Sequence, residues 1–445
     1  RHRAGAVSDP GALRCHPRWR STRLALLALL APALGLSSNS ALAFWELVPQ
    51  LGAGITWESN PRYVSDNLKE DVSGTFALVG LDGSYKTPAN QITLSTVFQQ
   101  TNYLDSNGIS NENLNNNNWS VNLGASHVDQ RGNIGLSAGY GESPIRNGDV
   151  DPNAPPEPSG GGNFSAGTQK SGNLGTSLTY NLSPRNRAAL SFSANEVTYD
   201  VPGDRPFNQG YFDYTNENAS VAMSHYLDEK NFFQIALNGG TFASEAQNGP
   251  ARNTTDSFGI NAAYSHTITE TVTGTITAGV SRSSVDIRGL PFDPLDPPPN
   301  IPPCARDSTC SASDESRNFV GDLSLRKRSE RTTFNFDVSR ALAPQSNRTQ
   351  SVEDQFSLYV LRTLTSRLST SAGALFSNAS AVGGLGRQNQ KYYNLNTSMS
   401  WQLTSTLSTY GKYSYVSTDQ GGRSGKDTDN ILYFGVTYQG VGLRR

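Results

Sequence analysis

Imidazole, thiol and carboxylate groups carry most enzyme and metal chemistry, and this chain uses them sparsely. Beyond residue 43 its histidines are His127, His225 and His266. They fall in separate segments, and none belongs to an H-E-x-x-H pattern that would place two imidazoles around a zinc ion. No G-x-S-x-G and no P-loop occurs. The acidic residues Asp149, Asp151, Asp293 and Asp296 lack the regular spacing of a calcium loop, which leaves at most a weak surface calcium site. Two thiols, Cys304 and Cys310, lie close together without a nearby His, which supplies half a zinc site at best. In an exported chain such a pair reads as one disulfide closing a small loop. The expectation is therefore a chain that is not an enzyme and carries no cofactor and no resident metal.

Export is written at the start. Arg14, Arg18, Arg20 and Arg23 precede an apolar run from Leu24 to Leu36, and a polar stretch then ends in Ala41-Leu42-Ala43. A basic n-region, an apolar h-region and a small-x-small site at Ala41 and Ala43 make a signal peptide, cleaved after Ala43. Residues 1 to roughly 13 read as an upstream start artefact, so the domains are a 1–43 signal segment and a single 44–445 body. The apolar run is too short to span a bilayer as a helix.

Composition excludes some classes and leaves one pair unresolved. A formal net charge of −2 over 445 residues gives no basic field for nucleic acid. With 36% hydrophobic residues and a mean hydropathy of −0.48 the chain looks soluble. A transmembrane barrel passes the same test, because only alternate residues meet lipid.

Periodicity separates the two. Trp119, Val121, Leu123 and Ala125 alternate with Ser120, Asn122, Gly124 and Ser126. Ile134, Leu136, Ala138 and Tyr140 alternate with small polar residues, and so do Phe258, Ile260, Ala262 and Tyr264. Phe334, Phe336 and Val338, and later Leu432, Phe434, Val436 and Tyr438, repeat the pattern. Period-two alternation means strands with one apolar side.

Connections between runs fall into two classes that alternate strictly. Short ones lie near 86–90, 129–132, 183–187, 228–231, 269–271, 328–331, 365–367 and 404–405. Long ones lie near 59–71, 105–117, 142–170, 200–212, 244–255, 286–317, 341–351, 377–390 and 418–428. Short turns on one rim and long loops on the other describe an all-β, transmembrane, antiparallel up-and-down β-barrel of about eighteen strands, with both termini periplasmic. Tyr140, Tyr180, Tyr199, Trp401, Tyr413 and Tyr438 sit towards run ends and read as interfacial girdles. Asn216, Glu217 and Asn218 spoil the run at 212–226, so that strand is expected to begin late. Runs 72–85 and 352–362 are apolar on both faces and leave their register open.

The opposite face carries Ser, Thr, Asn, Gln and Gly, with charges of both signs such as Asp337 and Lys412. A barrel this wide leaves a water-filled lumen, and such a lining suits neutral polar solutes. Arg282 and Arg340 fall on the apolar parity at the inferred outer end, where guanidinium pairs well with lipopolysaccharide phosphate. Ordinary solvation at the rim is the other reading. The Pro- and Gly-rich stretches at 149–162 and 289–303 cannot bury enough apolar surface to fold alone; they decorate the rim or narrow the pore.

The opening LVPQLGAGITWESNPRY, with E-S-N-P at 58–61, and the strand end TNYL at 101–104 resemble the outer-membrane β-barrel porin family that accompanies exopolysaccharide export and exosortase (PEP-CTERM) systems. The resemblance implies a bacterial outer-membrane pore that passes a secreted polysaccharide and works with periplasmic export proteins. Outer-membrane lipid, lipopolysaccharide and the barrel assembly machinery are its other expected partners. Barrels usually end on an aromatic residue read by that machinery; here QGVGLRR follows Tyr438, which displaces the signal. A general diffusion porin, and a structural or adhesive barrel with a plugged lumen, are the alternative functions.

Overall fold

The computed structural model describes residues 44–60, 71–104, 115–144, 168–200, 212–246, 252–290, 310–344, 350–381, 390–419 and 426–444. The signal segment with Ala41 and Ala43, Cys304, the side chain of Cys310 and the loop carboxylates Asp149, Asp151, Asp293 and Asp296 lie outside them.

Alternation in the sequence becomes one continuous antiparallel sheet. Its strands are β1 (Phe44–Glu58), β2 (Val72–Lys86), β3 (Asn90–Tyr103), β4 (Asn116–Val128), β5 (Gly132–Pro144) and β6 (Thr168–Asn181). There follow β7 (Asn186–Asp200), β8 (Phe212–Tyr226), β9 (Asn231–Ala246), β10 (Arg252–Thr269), β11 (Val272–Leu290) and β12 (Cys310–Arg328). The last are β13 (Thr332–Pro344), β14 (Gln350–Thr363), β15 (Leu368–Ala381), β16 (Gln390–Gln402), β17 (Leu407–Asp419), β18 (Lys426–Gln439) and the two-residue β19 (Leu443–Arg444). Each strand pairs with its sequence neighbours, and β1 pairs with both β2 and β18. Eighteen strands therefore close into a barrel, and closure removes the open edges that a flat sheet would expose.

The seam between first and last strand is fastened at both ends. Ladder pairs run from Gln50↔Gln439 to Glu58↔Ile431. Beyond Glu58, the Asn60 amide donates to Asp429 Oδ1 at 2.8 Å and the Ser59 hydroxyl donates to the same oxygen at 3.2 Å. Ser59 Oγ in turn accepts from the Asn430 amide at 2.9 Å. The E-S-N part of the opening motif is thus a clasp on β18. At the other end Gly440 donates to the Pro49 carbonyl at 2.8 Å, and Leu443 and Arg444 resume pairing with Leu47 and Glu46. The QGVGLRR tail continues the seam past Tyr438.

Short turns share a local device that explains their tightness. Side-chain oxygens of Thr87, Asp129, Ser183, Asp228, Thr365 and Thr404 accept from backbone amides two or three residues later, for example Gly132 to Asp129 at 2.6 Å and Leu407 to Thr404 at 2.9 Å. Asp, Ser and Thr mimic a backbone turn in this way. All eight expected short turns are present at one rim, and the strand ends that the long connections join lie at the opposite rim.

The expected late start of the strand at 212–226 is not what forms. β8 spans Phe212–Tyr226, with Asn216 and Asn218 on the lumen parity and Glu217 on the outer one. A wall strand needs apolar side chains outside only where it meets hydrocarbon. The two ambiguous runs are also resolved: Val72 and Phe76 point inward and Val79 outward on β2, while Tyr359 and Leu361 point inward on β14.

The outer surface is the apolar one. Leu51, Ile55, Val79, Val221, Ile276, Val280, Leu323 and Phe434 are exposed, all on the outward parity. Trp45, Trp401, Tyr180 and Tyr438 ring the short-turn edge of that band. Among the described residues no helix is long and apolar enough to cross a membrane, and the crossing is made by strands. An inverted barrel of this kind, apolar outside and polar inside, is the architecture of the bacterial outer membrane.

Candidate functional site

The register assigns the lumen face residue by residue. Inward positions of neighbouring strands form ladders of hydroxyls and amides: Ser191 Oγ to Ser220 Oγ at 2.7 Å, Asn238 Nδ2 to Asn261 Oδ1 at 3.1 Å, Ser371 Oγ to Ser398 Oγ at 2.7 Å and Ser408 Oγ to Thr437 Oγ1 at 2.8 Å. Each group satisfies its neighbour while one or more lone pairs still face the passage. Such a lining is wettable, and it offers hydrogen bonds without a strong field.

Burial varies around and along the lumen. On β4, β6 and β7 the inward Asn122, Asn173, Ser177, Ser191 and Ser193 are exposed, whereas Ser224, Ser265 and Ser324, inward near the short turns of their strands, are buried. Towards the long-loop rim the inward side chains are buried: Val197, Tyr199, Tyr214 and Phe242 form one cluster, and Val72 with Tyr103 another. Tyr199, expected in the outer girdle, is 7% exposed and belongs to the first cluster. It lies near a strand end as expected, but it shares the parity of Ser191, Ser193 and Asn195 opposite Leu190 and Phe192, and pairs with Gln169, so it faces inward.

Ionisable groups on the lumen face carry both signs. Asp82 accepts from Ser95 Oγ at 2.7 Å and from Gln50, Glu58 accepts from the Tyr103 hydroxyl, and Glu353 accepts from Ser377. Asp322 and Asp337 occupy diagonal inward positions on β12 and β13. Lys412, inward on β17, lies 5.9 Å from the centre of the Tyr433 ring. Tyr433 meets Phe76 edge-on at 6.2 Å. The expected placement of Asp337 and Lys412 in the lumen therefore holds.

The three histidines are not brought together. Each lies on the outward parity at the short-turn rim, hydrogen-bonded through Nδ1 to the Asn directly opposite it: His127 to Asn90 at 2.7 Å, His225 to Asn186 at 2.8 Å and His266 to Asn231 at 2.7 Å. This repeated pair, on three different hairpins, is an interfacial hydrogen bond with no nucleophile beside it. Its signal in the sequence was the Asn that ends each short turn. No group of three His, Cys, Asp or Glu among the described residues could hold a metal ion.

Outside, above the apolar band, charges are paired across strands. Arg282 donates twice to Glu315 at 2.7 and 2.6 Å, Arg340 lies 3.4 Å from Asp354, Arg252 3.6 Å from Glu245 and Lys170 3.9 Å from Asp200. Arg252, Thr254, Asp256, Ser284 and Asp286 line a polar cleft of about 300 Å³ on this wall. Arg282 and Arg340, singled out in the sequence, lie on the outward parity of β11 and β13. Their carboxylate partners lay in stretches read as loop or left without a face.

No family model and no curated protein matches the chain. Among solved structures it is similar to the siderophore receptor PiuA from Acinetobacter baumannii, at 8% identity and TM-score 0.47 over 89% of this chain and 82% of that one. It is also similar to OpdO from Pseudomonas aeruginosa, at 10% identity and TM-score 0.41 over 90% and 97%, and to OccAB2 from Acinetobacter baumannii, at 9% and 0.39 over 88% and 98%. Likenesses at this level carry no argument about solute or mechanism.

Proposed function

We propose that the barrel is a passive channel for neutral polar solutes across the outer membrane, with saccharides as the class it suits best. The observation that carries this is the lumen face, where cross-strand hydroxyl and amide ladders alternate with isolated charges of both signs. Such groups replace water around a sugar one hydrogen bond at a time, and among the described residues no single-sign ring imposes a charge filter. Export of a polysaccharide, together with periplasmic export proteins, is the sharper form of the reading and is supported by the resemblance of the opening segment.

The buried inward clusters in the long-loop half favour a rival, a barrel whose passage is shut at that level and whose role is structural or adhesive. Conductance of the purified chain in a planar bilayer decides between them. Discrete steps that a long neutral oligosaccharide blocks are expected; no steps at any voltage would sink the channel. Deletion of the gene, scored by secreted polysaccharide, tests the sharper form, since normal secretion rejects export and leaves a general diffusion channel.

A further inference from the structure

The wall's ladder is broken deeply between β12 and β13. β12 stays paired to β11 from Val272↔Lys327 up to Leu290↔Cys310. On its other side it pairs with β13 only from Arg328↔Thr333 to Gly321↔Arg340. Above that level β13 continues with β14 to Pro344↔Gln350. Among the described residues the two strands therefore part at the upper edge of the apolar band, level with Val280 and Phe319.

What lines the break is specific. Arg282 and Arg317 are direct register partners, both outward and exposed. Like charges placed opposite one another destabilise a sheet. Glu315 is the counter-ion of Arg282, and Arg317 makes no ion pair among the described residues. Arg340 stands on the other lip. Phe319, 60% exposed, presents an apolar ring at the base of the first lip, and Leu342 is outward on the second.

We propose that this break docks a phosphorylated glycolipid of the outer leaflet, lipopolysaccharide, with its phosphates on Arg282 and Arg317 from one lip and Arg340 from the other. Unpaired strand edges present rows of N–H and C=O groups that hydrocarbon cannot satisfy. Sugar hydroxyls and amides of the headgroup can, and the acyl chains meet Phe319 and Leu342. Guanidinium groups bind phosphate in bidentate fashion, and the exposed pairs with Glu315 and Asp354 contribute little to stability, so a multiply charged phosphate replaces them readily. The inference rests on the membrane placement and not on the channel reading.

The test uses the full chain in detergent with fluorescent bisphosphorylated lipid A as the probe. Arg282→Gln combined with Arg317→Gln is expected to weaken binding about tenfold or more, and Arg340→Gln by a smaller factor. Lys327→Gln, outward on the same strand at the other rim, should leave it unchanged. Heat-modified migration on a gel shows that each variant is folded, and Arg340→Gln serves if the double variant is not. Amide exchange at Arg317 and Phe319, whose N–H groups face the β13 side, should be fast in the free protein and slowed by lipid A. Unchanged affinity in the double variant, equal binding of phosphatidylglycerol vesicles, or displacement of lipid A by millimolar inorganic phosphate would each overturn the proposal, the last in favour of a soluble anion. Channel conductance is independent of all these readouts.

Discussion

Gly54 and Gly435 face each other across the seam, flanked by Phe76 on β2 and Tyr410 on β17 in one row of direct register partners. A Cβ at Gly54 would strike the Phe434 carbonyl and come within 2.5 Å of the Phe76 ring; one at Gly435 would lie 2.9 Å from the Tyr410 ring. The rings cover backbone that bears no side chain, a device that shields sheet glycines. Gly54→Ala is therefore expected to destabilise the barrel by about 1–3 kcal/mol, because backbone as well as ring must move. Gly239→Ala, whose Cβ would meet nothing nearer than 3.8 Å, should be neutral. Midpoints of urea unfolding compare the two, and equal midpoints would reject the account. The turn carboxylates give a second prediction at this scale. Amides of Arg131 and Gly132 hold Asp129 below the usual carboxylate range, and the Asn231 side chain and Lys230 amide do the same for Asp228. A depressed folded-state pKa means that the contribution is complete above the unfolded value near 4 and is lost as pH falls through the lower folded value. The Arg131 and Gly132 amide resonances should therefore titrate below about pH 4, and Asp129→Asn should abolish that titration.

At the scale of elements, the sequence shows where the chain turns better than where its strands stop. Asp, Ser or Thr at a turn start and period-two apolar spacing are local signals, and they yielded eighteen strands and eight short turns. Strand ends at the long-loop rim agree with the sequence reading at 59–71 and 200–212 but run past it at 286–317, where strands reach Leu290 and begin again at Cys310. Above the lipid band an outward residue no longer needs to be apolar, so Asp286 and Glu315 look like loop although they are paired in the sheet. The ladder break between β12 and β13 was equally illegible, because pairing partners are a non-local property. These projecting strands make a prediction. On intact cells a charged, membrane-impermeant maleimide should label Ser284→Cys within minutes and leave Val280→Cys untouched, since only the former stands above the apolar band. Equal labelling would place the band wrongly.

For the whole molecule, selectivity is the property that sums over the wall. The chain's net charge of −2 conceals how its charges are placed. Outside, arginines and carboxylates largely cancel across strands, and the lumen keeps its own set. There Asp322 and Asp337 sit on adjacent strands, with Arg326 on the same inward parity of β12, while Lys412 on β17, four strands on from β13, rests against the Tyr433 ring. Carboxylates that face water over a low-dielectric wall raise the local concentration of cations, and the effect decays over a Debye length of about 8–10 Å. In a lumen as wide as eighteen strands allow, the bias reaches only part of the cross-section, so the channel should favour potassium over chloride weakly. A reversal potential measured across a tenfold potassium chloride gradient should show that mild cation preference at low salt and lose it near 1 M, where the screening length shrinks to about 3 Å. Asp322→Asn with Asp337→Asn should bring the reversal potential close to zero, and Lys412→Gln should move it the other way. A preference that survives both variants unchanged would mean that the selective charges lie elsewhere along the passage and that the wall between β12 and β13 does not set it.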